Sequence, residues 1–200
     1  MKTISSVEEL EEIYTAVNPL SLEKVAGRMT PLYARFIEAS RLVIVSTVGP
    51  EGTDASPRGD NGSVVSIADE KTILMPDWRG NNRLDTLKNI VRDKRVSLMF
   101  FVQGANNVVR VNGTAVVTDD PAMTGQFAKG EKLPRTVIHV TINELYFQCA
   151  KALMRAGVWD QETPRPDVPS AGQFLQEAKE GFDADGYDAG YPAYAAERMW

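Results

Sequence analysis

The sequence predicts a mainly β protein with flanking helices, built around a small six-stranded antiparallel barrel. Three observations predict it. Apolar, β-rich runs crowd residues 41 to 118, turn signals separate most of them, and helical periodicity is confined to the two ends and one insert. Closure is the economical arrangement for short, mostly hairpin-linked strands, because it removes exposed edges.

The elements follow in order. Ser6-Val7-Glu8-Glu9 fits a capping box, opening a helix with Val7, Leu10, Ile13, Tyr14 and Val17 as its apolar stripe. Asn18-Pro19 breaks it, and Ser21 is expected to cap a short second helix through Leu22, Val25 and Met29. Thr30-Pro31 reads as an N-cap with proline at the first helical position, leading into Leu32, Phe36 and Ile37. Leu42 to Val48 is a strand ended by Gly49-Pro50-Glu51-Gly52, and Thr53 to Pro57 returns antiparallel to it. Further strands are expected over Ser63–Ile67, Thr72–Met75, Arg95–Gln103 and Asn107–Thr118, with a helical insert over Asn82–Arg92. After Asp119-Asp120-Pro121 starts another helix, Arg135–Ile142 alternates as a final strand. A helix is expected over Tyr146–Arg155.

Thr163-Pro164-Arg165-Pro166-Asp167-Val168-Pro169 reads as a stiff linker, and Ser170 caps a helix through Ala178. Tyr187, Tyr191 and Tyr194 then recur at helical spacing, with Met199 and Trp200 beyond them. So many aromatics are expected to dock on the barrel or on a partner subunit. The chain thus divides into a helical segment (1–40), a barrel domain (41–160) and a helical extension (161–200).

Composition narrows the function. Net charge is -5, which argues against non-specific nucleic-acid binding, although a small basic pocket for one phosphate is compatible with it. With one cysteine, Cys149, and one histidine, His139, an intrachain disulfide is ruled out and a resident metal centre is not expected. No apolar run approaches the length of a bilayer span, and the acidic N-terminal stretch is unlike a signal peptide, so a cytoplasmic protein is expected. Cys149, among Phe147, Ala150 and Leu153, reads as a buried structural thiol.

The strongest local feature is a pair of loops. Ser56-Pro57-Arg58-Gly59-Asp60-Asn61-Gly62 and Pro76-Asp77-Trp78-Arg79-Gly80-Asn81-Asn82-Arg83-Leu84 each place arginine, asparagine and glycine at a strand end, and the second leads into a helix. A phosphate monoester needs bidentate guanidinium donors, close backbone N–H groups and, best, a helix N-terminus. Arg58, Arg79, Asn82 and Arg83 supply the side chains. Taken singly, each loop is more often an ordinary solvated turn; on adjacent barrel elements the two favour a phosphate site.

These loops, with Val109-Arg110-Val111-Asn112-Gly113, Tyr146 to Ala152 and Trp159-Asp160, resemble the pyridoxamine 5'-phosphate oxidase-like FMN-binding split-barrel superfamily. Its probable FMN-dependent branch with an Asn-Asn-Arg-Leu motif is the nearest in pattern, and the resemblance covers about residues 30 to 165. It implies a split barrel and a homodimer with FMN in clefts between subunits. It implies that Arg58, Asn82 and Arg83 hold the phosphate, with Arg79 assisting. Strands Ser63–Ile67 and Leu74–Asp77 would line the isoalloxazine ring, with Ser63 and Ser66 donating to its polar edge and Asp77 beside it. Lys151 and Arg155, one turn apart, would face the cofactor from the second subunit. The basic C-terminal segment that grips substrate in pyridoxamine phosphate oxidases proper has no counterpart in Ala195 to Trp200, so another small-molecule substrate or electron donor is expected.

An FMN-dependent oxidoreductase, or oxidase, is therefore the leading expectation, with no side chain assigned as catalytic. A non-catalytic flavin-binding or sensing protein is the alternative, as is a deazaflavin-dependent reductase, since both cofactors carry a similarly placed phosphate. Haem is disfavoured by the single histidine.

Overall fold

A computed structural model describes residues 1–14, 16–160 and 167–200. Three short helices lead in: α1 (Val7–Ile13), α2 (Pro19–Glu23) and α3 (Pro31–Glu38). Seven strands follow: β1 (Leu42–Gly49), β2 (Gly52–Gly59), β3 (Ser66–Asp69), β4 (Thr72–Asp77), β5 (Arg95–Phe101), β6 (Val108–Thr118) and β7 (Thr136–Gln148). Helix α4 (Asp85–Asp93) interrupts them after β4, and α5 (Pro121–Thr124) with a 3-10 turn lies between β6 and β7. Then come α6 (Lys151–Ala156), α7 (Ala171–Ala178) and α8 (Ala184–Ala196).

All neighbouring strands are antiparallel, in the order β2-β1-β5-β6-β7-β4-β3. The sheet has seven strands rather than six, one for each of the seven strand runs in the sequence, with β7 between β6 and β4. Among the described residues no ladder joins the two edge strands, β2 and β3, so the barrel is split rather than closed.

Strand β7 makes the curl possible. Its first half pairs with both β4 and β6, while its second half continues along β6, with a single further bridge from Leu145 to Ala26. The register slips at Asn112/Gly113, where the Asn112 side chain donates to Glu144 at 2.8 Å. A bulge of this kind bends the strand and increases its twist. Gly113 is required there, since a Cβ would land on the Thr141 carbonyl oxygen.

Alternation fills the interior. Val43 and Val45 of β1, Leu98 and Phe100 of β5, Val109 and Val111 of β6, and Ile138, Val140, Ile142 and Leu145 of β7 are buried together. Ile37 of α3 and Ile90 of α4 complete this core from the two helical sides. Helix α4 is fastened to the sheet by polar groups too: buried Asn89 donates to Thr47 Oγ1 of β1, and Thr86 donates to Asp54 of β2 at 2.5 Å.

Several boundaries differ from the sequence expectation. Helix α2 starts at Pro19, with Asn18 rather than Ser21 as its cap. The Glu9 carboxylate accepts from the Ser5 backbone, not from Ser6 as a strict capping box would have it. Tyr146 and Phe147 extend β7 instead of opening a helix, because their backbones pair with Arg110 and Val109. Cys149 is exposed, at the turn between β7 and α6. The expected linker lies, through Pro166, outside the described residues. Helix α7 has a complete capping box from Ser170 and Gln173, and Ser170 and the Gly172 amide both donate to Asp188 of α8. No helix among the described residues is long and apolar enough to cross a membrane.

Candidate functional site

At one end of the split, β2, the end of β4, the start of β7 and the N-terminus of α4 surround a cleft of about 610 Å³. Strand β2 contributes by simple alternation. Asp54, Ser56 and Arg58 share its half-buried face, while Ala55 and Pro57 point out to solvent. Arg58 then donates to Asp77, at the end of β4, at 2.5 Å. These two strands are not ladder neighbours, so the ion pair bridges the open seam of the sheet.

The chain after β4 is unusual. Asn82 and Leu84 have φ of 60° and 65°, in the left-handed region that non-glycine residues seldom occupy. The Asn81 side chain accepts from the Arg83 N–H at 3.0 Å, an Asx-type turn that competes with helix initiation. This is why α4 begins at Asp85 and not, as periodicity suggested, at Asn82. Leu84 occupies the cap position and provides no side-chain hydrogen bond to the first turn. The first-turn N–H groups of α4 are therefore available at the cleft, whose lining includes Asp85, Thr86 and Leu87.

Four arginines, Arg58, Arg79, Arg83 and Arg135, line the cleft against three aspartates, Asp54, Asp77 and Asp85. This local balance is opposite in sign to that of the whole chain. Arg83 pairs with Asp85 at 2.5 Å, and Asp54 is taken by Thr86. Arg79 makes no side-chain hydrogen bond among the described residues, and Arg135 donates to the Asn82 side chain at 3.3 Å.

Buried polar atoms nearly always have partners. Among the described residues four side-chain atoms do not, and three of them belong to cleft residues: Arg58 Nε, Trp78 Nε1 and Thr136 Oγ1. Unsatisfied buried polar atoms are thus concentrated among residues of one cleft.

Of the expected residues, the structure brings Arg58, Asp77, Arg79, Asn82 and Arg83 together in this cleft. Ser63 and Ser66 lie outside its lining; the Ser63 hydroxyl donates to the Val65 carbonyl at 2.7 Å, and Ser66 pairs with Leu74 at the β3 edge. Lys151 and Arg155 are exposed on α6, also away from the lining. Sequence reasoning missed Arg135 and Thr136, which read only as the start of a strand.

The family model for pyridoxamine 5'-phosphate oxidase matches residues 29–149. The chain belongs to the pyridoxamine 5'-phosphate oxidase family. Among solved structures of similar fold is a variant of HupZ from Group A Streptococcus, 18% identical. The match covers 60% of this chain and 98% of that one, with a TM-score of 0.50. A candidate pyridoxamine 5'-phosphate oxidase from Lactobacillus delbrueckii is 23% identical over 60% of this chain and 95% of that one, with a TM-score of 0.49. An F420 reductase is 13% identical over 60% and 98% of the respective chains, with a TM-score of 0.42. Comparison with curated protein sequences gives no match. The family match spans α3 and all seven strands, leaving out α1 and α2, and so includes every arginine of the cleft.

Proposed function

We propose that this family member is an FMN-dependent oxidoreductase that holds the cofactor phosphate in the arginine cleft, acting in the cytoplasm as a homodimer with FMN at the subunit interface. One observation carries the reading: Arg58 Nε, Trp78 Nε1 and Thr136 Oγ1, unpartnered and buried, belong to residues lining one cleft. Membership of the family supports a flavin as the ligand. A cleft of about 610 Å³ also falls in the size range of cofactor sites.

Bound FMN supplies a ring that accepts a hydride from a reduced small-molecule donor and passes the electrons to an acceptor. The chain's own residues bind and orient it. Arg58, held by Asp77, presents its guanidinium to the phosphate, and Arg83 and Arg135 approach from the α4 side. Asn82, with its carbonyl oxygen engaged by Arg135, keeps its amide N–H groups for the phosphate. The exposed Arg79 closes the outer side. First-turn N–H groups of α4 add the favourable end of the helix dipole. In this reading Ser63 and Ser66 serve the polar edge of the ring, and Lys151 and Arg155 reach it from the partner subunit. No residue is assigned a proton-transfer role.

The test is an absorption spectrum of the purified protein before and after addition of FMN, followed by addition of nicotinamide donors. Flavin absorption that bleaches with a donor and recovers with an acceptor is expected. A protein that takes up no FMN would overturn the reading.

A further inference from the structure

Beside the cleft lies a second cavity of about 350 Å³, which shares Arg58, Trp78, Arg79 and Asn81 with it and is walled on another side by Met199. Met199 and its neighbour Trp200 follow α8 and are far in sequence from every other part of the site. Trp200 meets Trp78 edge to face, with ring centroids 5.4 Å apart. The Lys129 ammonium sits 3.4 Å from the Trp200 ring centroid and 5.5 Å from that of Trp78. The same ammonium donates to Asp60 at 2.6 Å and to Asn61 at 3.1 Å. One cation and two indoles thus join the loop after β2, the loop after β4 and the segment after α8.

The loop after β4 needs such an anchor. It runs from Trp78 through two left-handed residues, Asn82 and Leu84, and strained backbone persists only where its surroundings hold it. Arg79, Gly80, Asn81, Asn82 and Arg83 are exposed, so the loop has little packing of its own. Its one aromatic, Trp78, is the half-buried end that Trp200 and Lys129 grip. Edge-to-face aromatic contact and cation–π attraction both favour a fixed geometry.

We propose that Trp200 is a positioning residue for the phosphate cleft: it fixes the Trp78–Leu84 loop through Trp78 and Lys129, next to Met199, which bounds the cavity beside the cofactor. The role in cofactor binding rests on the proposed function; the anchoring of the loop does not.

The test compares the full chain with Trp200→Ala and Trp200→Phe by amide hydrogen exchange without cofactor, and by FMN titration. In Trp200→Ala, exchange over residues 79–84 is expected to accelerate about tenfold while the amides of β5 and β6 keep their rates, and the FMN dissociation constant rises about tenfold. Trp200→Phe, which keeps an aromatic face, restores most of both. Unchanged exchange in the loop, or equal acceleration in the sheet, would overturn the anchor. Faster loop exchange with unaltered FMN affinity would overturn the positioning role. If the unaltered protein takes up no FMN, the proposed function fails, and the exchange measurement alone decides the anchor.

Discussion

Arg58 of β2 and Asp77 of β4 meet at 2.5 Å although their strands share no ladder, so a side-chain ion pair spans the gap that backbone hydrogen bonds leave open. The contact has two consequences. It ties edge strand β2 to β4, the strand beside the other edge, and it holds a guanidinium at the cleft with its Nε unpartnered.

Replacing Asp77 with Asn removes the counter-charge of a guanidinium that is only 24% exposed. The unliganded protein is expected to lose about 1–3 kcal/mol of stability. Saturating FMN narrows that loss, because its phosphate offers Arg58 a replacement anion. Urea denaturation with and without FMN measures both; a loss of equal size in the two conditions would detach Arg58 from the phosphate.

Arg135→Ala separates binding from folding. Its side chain is exposed, and among the described residues its only side-chain hydrogen bond is the 3.3 Å contact with Asn82. Stability is expected to stay within about 0.5 kcal/mol, whereas loss of a charge-assisted contact lowers FMN affinity by about 10- to 100-fold. Arg83→Ala is expected to behave similarly. Fluorescence titration and thermal melts of the same samples check the two halves.

Gly113 belongs to the fold. An alanine methyl group there has no space against the Thr141 carbonyl, so Gly113→Ala forces β6 and β7 apart at the bulge. The expected cost is about 1–3 kcal/mol, read from the midpoint of denaturant unfolding. A midpoint equal to that of the unaltered protein would mean the bulge relaxes freely.

Lys94 ends α4 with φ of 70°, and its N–H bonds back to Ile90. Glycine adopts this conformation without the Cβ penalty, so Lys94→Gly is expected to stabilise the protein by about 1 kcal/mol. The site lies at the opposite end of the helix, and FMN affinity should not change. Melting temperature and titration test this pair of outcomes.

Much of this was legible in the sequence, and the missing parts have physical reasons. Strand-rich runs and turns marked out the sheet, and the two Arg/Asn/Gly loops marked Arg58, Arg79, Asn82 and Arg83 as neighbours. The start of α4 was misplaced because apolar spacing cannot register an Asx turn that sends Asn82 and Leu84 left-handed. Tyr146 and Phe147 followed a cross-strand partner, Val109 and Arg110, rather than local propensity. Arg135 was invisible for a related reason: 53 residues separate it from Asn82, and only the β4–β7 ladder, with Thr136 opposite Asp77, brings it to the cleft. The coupling of Trp200 to Trp78 across the chain is equally non-local.

The central claim is that the cleft recognises a flavin by its phosphate. The most direct measurement is a parallel titration with FMN and riboflavin, which share the ring and differ by that group. FMN is expected to bind at least about 100-fold more tightly, the difference of two charge-assisted contacts. Equal affinities, or no binding of either, would contradict it.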